Sequence, residues 1–242
     1  ITRSPEAGML LQHLDVPSAA LTLLRAAGAE GRPEKRLSGL LAFHAALIAD
    51  LAGRRAEADG FYALAAQGSG NVMLRLGQAL ASWDMRRGQP AAAAARLADK
   101  LVPGDPLHVA LPDLLAQAQA PIVRNARDGF AEAYLAMAVA LHQQEADGLT
   151  ELMLRYALDL RPDLTAARLL LSDLQELQHR PLAALETLAP VGAVDPLATV
   201  VRLRRDTFQA EAGHPGQAEA DLRAMTAQFP HRIEPPLQLG AQ

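Results

Sequence analysis

Seven histidines (His13, His44, His108, His142, His179, His214 and His231) are the side chains here best suited to proton transfer or metal binding. None has a second histidine four residues away, the spacing that sets two imidazoles on one helix face around one ion. Each reads as a surface or turn residue. The chain has no cysteine, so a disulfide framework, a zinc-thiolate site and a cysteine nucleophile are all excluded. Gly68-Ser69-Gly70-Asn71 has small residues like a phosphate-binding loop but lacks the lysine-serine ending that would complete one. Asp173 and Glu176 stand at helical spacing with no recognisable nucleophile or metal partner, and read as a solvated face. No catalytic residue, cofactor or metal site is expected, and the chain does not read as an enzyme.

Composition narrows the partners further. A formal net charge of -4 argues against a general polyanion binder, because nucleic-acid affinity rests on clustered cations that neutralise phosphates. The arginine pairs 54–55, 86–87 and 204–205 are what single solvated turns produce. The apolar run from Gly39 to Gly53 is interrupted by His44 and Asp50 and is shorter than the roughly 20 residues that span a bilayer, so it reads as a buried helix and no membrane span is expected. The sequence begins at Ile1, as a processed or trimmed product would, with any targeting segment already gone.

Half the residues are hydrophobic but only 4% are aromatic, and alanine and leucine supply most of the apolar content. These are the best helix formers, so the fold class is expected to be all-α. A repeat organises it. Pro162, Pro196 and Pro230 are spaced by 34 residues; twelve residues before each is a small residue (Thr150, Ala184, Ala218), and eight before each a leucine (Leu154, Leu188, Leu222). A fixed period of this length in helix-forming sequence is the signature of stacked helical hairpins. Three regions follow: residues 1–101 with looser hairpins, 102–129 with a single helix near 107–119 and a proline-rich connector, and 130–242 with the regular array. In the first region, hairpins are expected over 7–27, 37–66 and 72–101, with a break at 28–33. In the last, paired helices are expected at 130–143 with 149–160, 164–178 with 181–188, and 197–212 with 216–228, followed by a partial repeat from Ile233. The proline-rich break is the expected boundary and hinge.

Leu-Arg-Tyr-Ala-Leu-Asp-Leu-Arg-Pro-Asp (154–163) and Glu-Ala-Gly-His-Pro-Gly-Gln-Ala-Glu-Ala (211–220) resemble tetratricopeptide repeats. The first carries the end of a second helix and its closing proline; the second carries the turn glycine, Gly213, and the small contact residue, Ala218. The resemblance implies a right-handed superhelical stack of antiparallel hairpins that binds a protein or peptide on its concave face. Segments 43–58 and 131–184 are also similar to secreted or periplasmic repeat proteins of alphaproteobacteria, which implies a periplasmic location, with the cytoplasm as the alternative. The repeats diverge from the pattern. The usual aromatic of the first helix is kept at Tyr134 but replaced by Arg168 and Arg202, and the usual leucine-glycine pair is met by Met137-Ala138, Leu171-Ser172 and Arg205-Asp206.

In that family the first helices line the concave face. Helical spacing would place Leu40, Phe43, Leu47 and Asp50 there, then Arg75, Gln78, Ser82 and Arg86. Beyond the break follow Glu132, Leu135, Val139 and His142, then Leu169, Asp173 and Glu176, and finally Val200, Leu203, Thr207 and Glu211. The lysines and asparagines with which such domains clamp a terminal carboxylate are missing at these positions, so an amphipathic or extended partner segment is the expected ligand. Leucine spacing alone does not separate a groove from a core: the same leucines would equally fill contacts between repeats, or the connector 121–128 would occupy the groove. Apolar Leu237 and Leu239 in the last half-repeat make end-to-end self-association the second functional reading.

Overall fold

The computed structural model describes residues 35–67, 73–98, 106–230 and 235–236. The hairpin expected over 7–27, the break at 28–33, the loop 68–71 and the last half-repeat with Leu237 and Leu239 lie outside the described residues. Eleven α-helices and one 3-10 turn are present, with no strand among the described residues. No described helix is long and apolar enough to cross a membrane. The chain divides into two compact units, the first containing residues up to 72 together with 123–129, the second containing residues 73–122 and 130 onward.

In the first unit, α1 (Lys35–Leu51) packs on α2 (Arg55–Gln67). Ala42, Ala45, Ala46 and Ala49 of α1 and Ala58 and Ala65 of α2 are all buried, and side chains this small let two helix backbones approach closely. Phe43, Leu47 and Tyr62 fill the remaining core, and the Tyr62 hydroxyl donates to Asp50 Oδ2 at 3.1 Å. In the segment 123–129, Asn125 Oδ1 accepts from the Asp128 amide at 3.0 Å, satisfying an N–H that the first turn of a helix leaves orphaned. That local bond explains why the helix expected from residue 130 begins at Ala126.

The second unit runs through α3 (Met73–Arg86), α4 (Pro90–Ala98), the 3-10 turn (Pro106–Ala110), α5 (Leu111–Gln117), the body of α6 (Ala126–His142), α7 (Asp147–Leu160), α8 (Thr165–Leu177), α9 (Pro181–Leu188), α10 (Ala198–Glu211) and α11 (Pro215–Gln228). Prolines open α4, α9 and α11, where the missing N–H would have had no helical partner anyway. Neighbours in sequence pack on one another: α3 with α4, α7 with α8, α8 with α9, α9 with α10 and α10 with α11. One apolar cluster joins Leu135 and Ala138 of α6, Leu154 and Ala157 of α7, and Leu164, Ala167 and Leu171 at α8.

The segment between α4 and α6 is not a plain connector. Leu107–Gln119, expected as one helix, divides into the 3-10 turn and α5, because Pro112 has no N–H to continue an α-helical ladder through it. The 3-10 turn packs directly on α10, and Val109, Ala110, Leu114 and Ala118 share a single core with Leu97, Leu188, Val200, Leu203 and Phe208. Polar bonds hold the segment along its length. Gln117 Nε2 donates to the Val194 carbonyl at 2.7 Å, and Ser82 Oγ to the Ala120 carbonyl, also at 2.7 Å.

Five helix–helix turns share one backbone solution. Gly53, Gly88, Glu145, His179 and Gly213 all have positive φ, and the next residue's amide bonds back to a carbonyl five residues earlier: Arg54 to Ala49, Gln89 to Asp84, Ala146 to Leu141, Arg180 to Gln175 and His214 to Gln209. This bond satisfies a carbonyl that the helix end leaves open and fixes the angle at which the chain reverses. At φ 57°, Glu145 and His179 carry a Cβ clash that glycine avoids. Glu145→Gly and His179→Gly are each expected to raise stability by roughly 1 kcal/mol. Urea unfolding of the two variants checks this, and a loss of stability in both would refute it.

Candidate functional site

The residues expected on the concave face fall into two sets. Phe43 and Leu47 are buried in the first unit, with Leu40 half-buried beside them. In the second unit Leu135, Leu169 and Leu203 are also core residues, at 3%, 8% and 3% exposure, and Val139 packs against the same core as Leu135. Leu169 and Leu203 belong to the cluster that takes in the 106–118 segment. Part of the chain itself, upstream of the 121–128 connector considered from sequence, thus covers apolar surface next to these positions.

The polar members remain accessible in part and some are brought together. His142, Asp173 and Glu176 are half-buried, and Arg204 Nη2 donates to Asp173 Oδ2 at 3.3 Å. Burial raises the Asp173 carboxyl above its ordinary range, Arg204 and His142 oppose the shift, and Glu176 adds to it. Glu211 is likewise raised, first by desolvation and then by Glu176. Arg86, at the end of α3, is exposed, with its guanidinium 5.1 Å from the Trp83 ring centroid in a cation–π contact. Among the described residues no group of three or more histidine, aspartate or glutamate side chains is arranged to hold a metal ion.

Arg75 and Gln78 have a different role from the one their spacing suggested. Arg75 turns inward and donates through Nε to Glu132 Oε2 at 3.0 Å and through Nη2 to Glu132 Oε1, while Nη1 bonds Gln78 Oε1. Arg161 reaches the same carboxylate from the end of α7, Nη1 to Oε1 at 3.2 Å, and also donates to the Ile122 carbonyl at 2.8 Å. Glu132 is 1% exposed. One buried carboxylate therefore ties α3, α6, the end of α7 and the last residue before the 123–129 segment. With Glu132 removed, two guanidiniums would face each other out of water, so Glu132→Gln is expected to cost roughly 3–5 kcal/mol in urea unfolding. A cost below about 1 kcal/mol would show that the cluster does not bear on stability.

A second buried acid lies in the last hairpin. Asp206 of α10 is 2% exposed and its Oδ2 has no hydrogen-bond partner. Its neighbour Asp221 of α11 is committed to Arg202, which donates Nε to Asp221 Oδ2 at 2.6 Å, Nη2 to Asp221 Oδ1 and Nη1 to Gln228 Oε1 at 3.1 Å. Loss of hydration, followed by the charge of Asp221 and a hydrogen bond to it that requires the protonated acid, pushes the Asp206 carboxyl up to about 7, against the pull of Arg202 and Arg205. Asp221 itself is lowered, chiefly by its hydrogen bonds from Arg202.

On the solvent side of the second unit a third feature stands out. Phe130 and Met137 of α6 and Leu149, Leu152 and Tyr156 of α7 are exposed large apolar side chains, and the Tyr134 and Tyr156 rings meet at 5.5 Å across the hairpin. In the sequence Tyr134 and Met137 stand out as repeat positions and Tyr156 lies in the repeat phrase 154–163, but none of them is expected on a binding face. The i, i+7 spacing of 130 and 137, and the i, i+3, i+7 spacing of 149, 152 and 156, marks a stripe on each helix, which was the available signal.

No protein-family model, curated protein or solved structure matches the chain.

The Asp206 environment has a definite pH consequence. Its folded pKa of about 7 lies above the unfolded value, so between pH 4 and 7 the folded state keeps a proton that the unfolded state releases. The stability contributed by this group is complete below pH 4 and lost as pH rises through 7. Asp206→Asn removes the dependence. It is expected to match the parent near pH 4 and exceed it by about 1–3 kcal/mol at pH 8, as read from urea unfolding at the two pH values. An equal difference at both would refute the assignment.

Proposed function

We propose that this chain is a non-catalytic protein-binding module, a tetratricopeptide-like right-handed stack of hairpins that captures an amphipathic helix or extended segment of a partner protein. The observation that carries this reading is the exposed apolar face of the α6–α7 hairpin, where Phe130 is 63% exposed, Leu149 54% and Tyr156 47%. Large apolar side chains gathered on one surface are costly to leave in water and mark sites that another surface covers. Aromatic anchors such as Phe130, Tyr134 and Tyr156 give much contact area for little lost side-chain entropy. The 34-residue period and the shared turn geometry support the stacked-hairpin part of the reading, since helical repeats present extended surfaces of this kind. The buried leucines at 135, 169 and 203 serve the module as core. Recognition is accordingly assigned to the α6–α7 face.

Affinity capture with the tagged chain from its source cell tests the proposal. Phe130→Asp combined with Leu149→Asp should lose the captured protein while helicity and thermal midpoint stay near the parent values, because both side chains are more than half exposed. Retention of the same captured protein by the double variant would sink it. A parent chain that captures nothing but dimerises with concentration, and a double variant that stays monomeric, would assign the face to self-association, by a surface different from the end-to-end stacking through Leu237 and Leu239 expected from sequence.

A further inference from the structure

Arg202, Arg205, Asp206 and Gln209 of the last hairpin make charged and polar a set of positions that is wholly apolar two periods earlier and mixed, with Arg168, Leu171, Ser172 and Gln175, one period earlier. Two 34-residue periods before Arg202, Arg205 and Gln209 stand Tyr134, Met137 and Leu141, and the counterparts of Asp206 one and two periods earlier are Ser172 and Ala138, both fully buried. Beside Asp206, between α10 and α11, is an open-mouthed cavity of about 520 Å³. Arg202, Arg205, Asp206 and Gln209 line it at i, i+3, i+4 and i+7 of α10, and Gln217 and Asp221 face them from α11. The volume is that of a small-molecule site, and the lining has no aromatic side chain and only one alanine.

The hydrogen-bond inventory says what would fit. Arg202 and Asp221 satisfy each other. Arg205 has no such partner among the described residues, although its charge acts on both acids. Asp206 Oδ2 is buried in the cavity wall and accepts no hydrogen bond; the protonated acid shares its proton with Asp221, but the ionised form has no donor, a cost that buried polar groups rarely bear unless something bonds them. An unpaired guanidinium fork matches a carboxylate. A hydroxyl suits Asp206 in either protonation state, because it donates to the carboxylate and accepts from the acid. An ammonium would need the ionised form and would lie beside two guanidiniums; a dianion would meet two aspartates.

We propose that the cavity between α10 and α11 is a binding site for a small hydroxylated monocarboxylic acid, of the size and polarity of a sugar acid, with the ligand carboxylate on Arg205 and a ligand hydroxyl on Asp206 Oδ2. The side-chain amides of Gln209 and Gln217 supply further donors and acceptors for the remaining hydroxyls. The site is independent of the α6–α7 face, so either assignment stands if the other fails.

Calorimetric titration of the full chain at pH 7 tests the site with D-glucuronate and D-gluconate as probes, D-glucose as the hydroxylated compound without a carboxylate, and acetate as the carboxylate without hydroxyls. At least one of the two acids should bind saturably and at least tenfold more tightly than glucose and acetate. Arg205→Gln, a change at a partly exposed side chain, should weaken that acid at least tenfold, and Asp206→Ala should do the same. A parallel measurement of helicity and thermal midpoint establishes that each variant is folded, and if Asp206→Ala is not, the Arg205 variant decides alone. Failure of both acids to bind, equal binding of glucose or acetate, or unchanged affinity in Arg205→Gln would overturn the proposal.

Discussion

The second unit depends on Glu132, a carboxylate buried out of water and bonded by two arginines from different elements. An isolated ion in this position would be prohibitively costly, and the charge is tolerable only because Arg75 and Arg161 arrive with their donors aimed at both of its oxygens. Those two residues are far apart in sequence, so the pairing forms only when α3 and the end of α7 are both in place. The same Arg161 bonds the Ile122 carbonyl and so holds one point of the irregular segment ahead of α6. Electrostatics of this kind contributes little net stability over a well-packed apolar alternative, but it discriminates sharply against arrangements in which any one of the elements is displaced.

Around that anchor, the repeat is maintained by geometry more than by side-chain identity. Thr150, Ala184 and Ala218 are each fully buried, and the residues closing the first helix of each hairpin take the left-handed conformation whether or not they are glycine. What varies is the chemistry at positions set apart by the 34-residue period: aromatic and apolar at Tyr134 and Met137, mixed at Arg168 and Leu171, and charged at Arg202 and Arg205. In the middle hairpin, Arg168 Nη1 donates to the Thr187 carbonyl and Thr187 Oγ1 to Gln175, so polar side chains there satisfy one another. Successive hairpins thus carry different chemistry at positions 34 residues apart.

Much of the fold was legible in the sequence because local signals act locally. Apolar runs closed by glycines, prolines at three helix starts and the 34-residue period together placed ten of the helices to within a few residues, since helix propensity, φ restriction and a missing N–H operate without reference to the rest of the chain. The start of α6 escaped because an asparagine side-chain bond extends it backward, and the 107–119 helix split because Pro112 acts inside it. The candidate site was much less legible. Leu135, Leu169 and Leu203 occupy helix positions that suit either a surface stripe or a core, and which one holds depends on where residues 106–118 pack, a question of tertiary contact that periodicity does not encode. Arg75 and Glu132 likewise carry no mark in sequence of being paired across 57 positions. Arg202 and the Arg205-Asp206 pair were visible as departures from the repeat pattern, yet only the cavity and the unpartnered oxygen turn those departures into a site.

The contact of α10 with the 3-10 turn has a consequence for how the molecule comes apart. In a repeat array where each hairpin touches only its neighbours, units can be added or removed at an end, and unfolding can creep inward from there. Here the last hairpin rests on a segment laid down before the regular repeats begin. Fraying from the C-terminal side would strip cover from the middle of the chain, so this unit should behave as one cooperative block, closed by a contact of long sequence separation that is among the slowest to form as the chain folds.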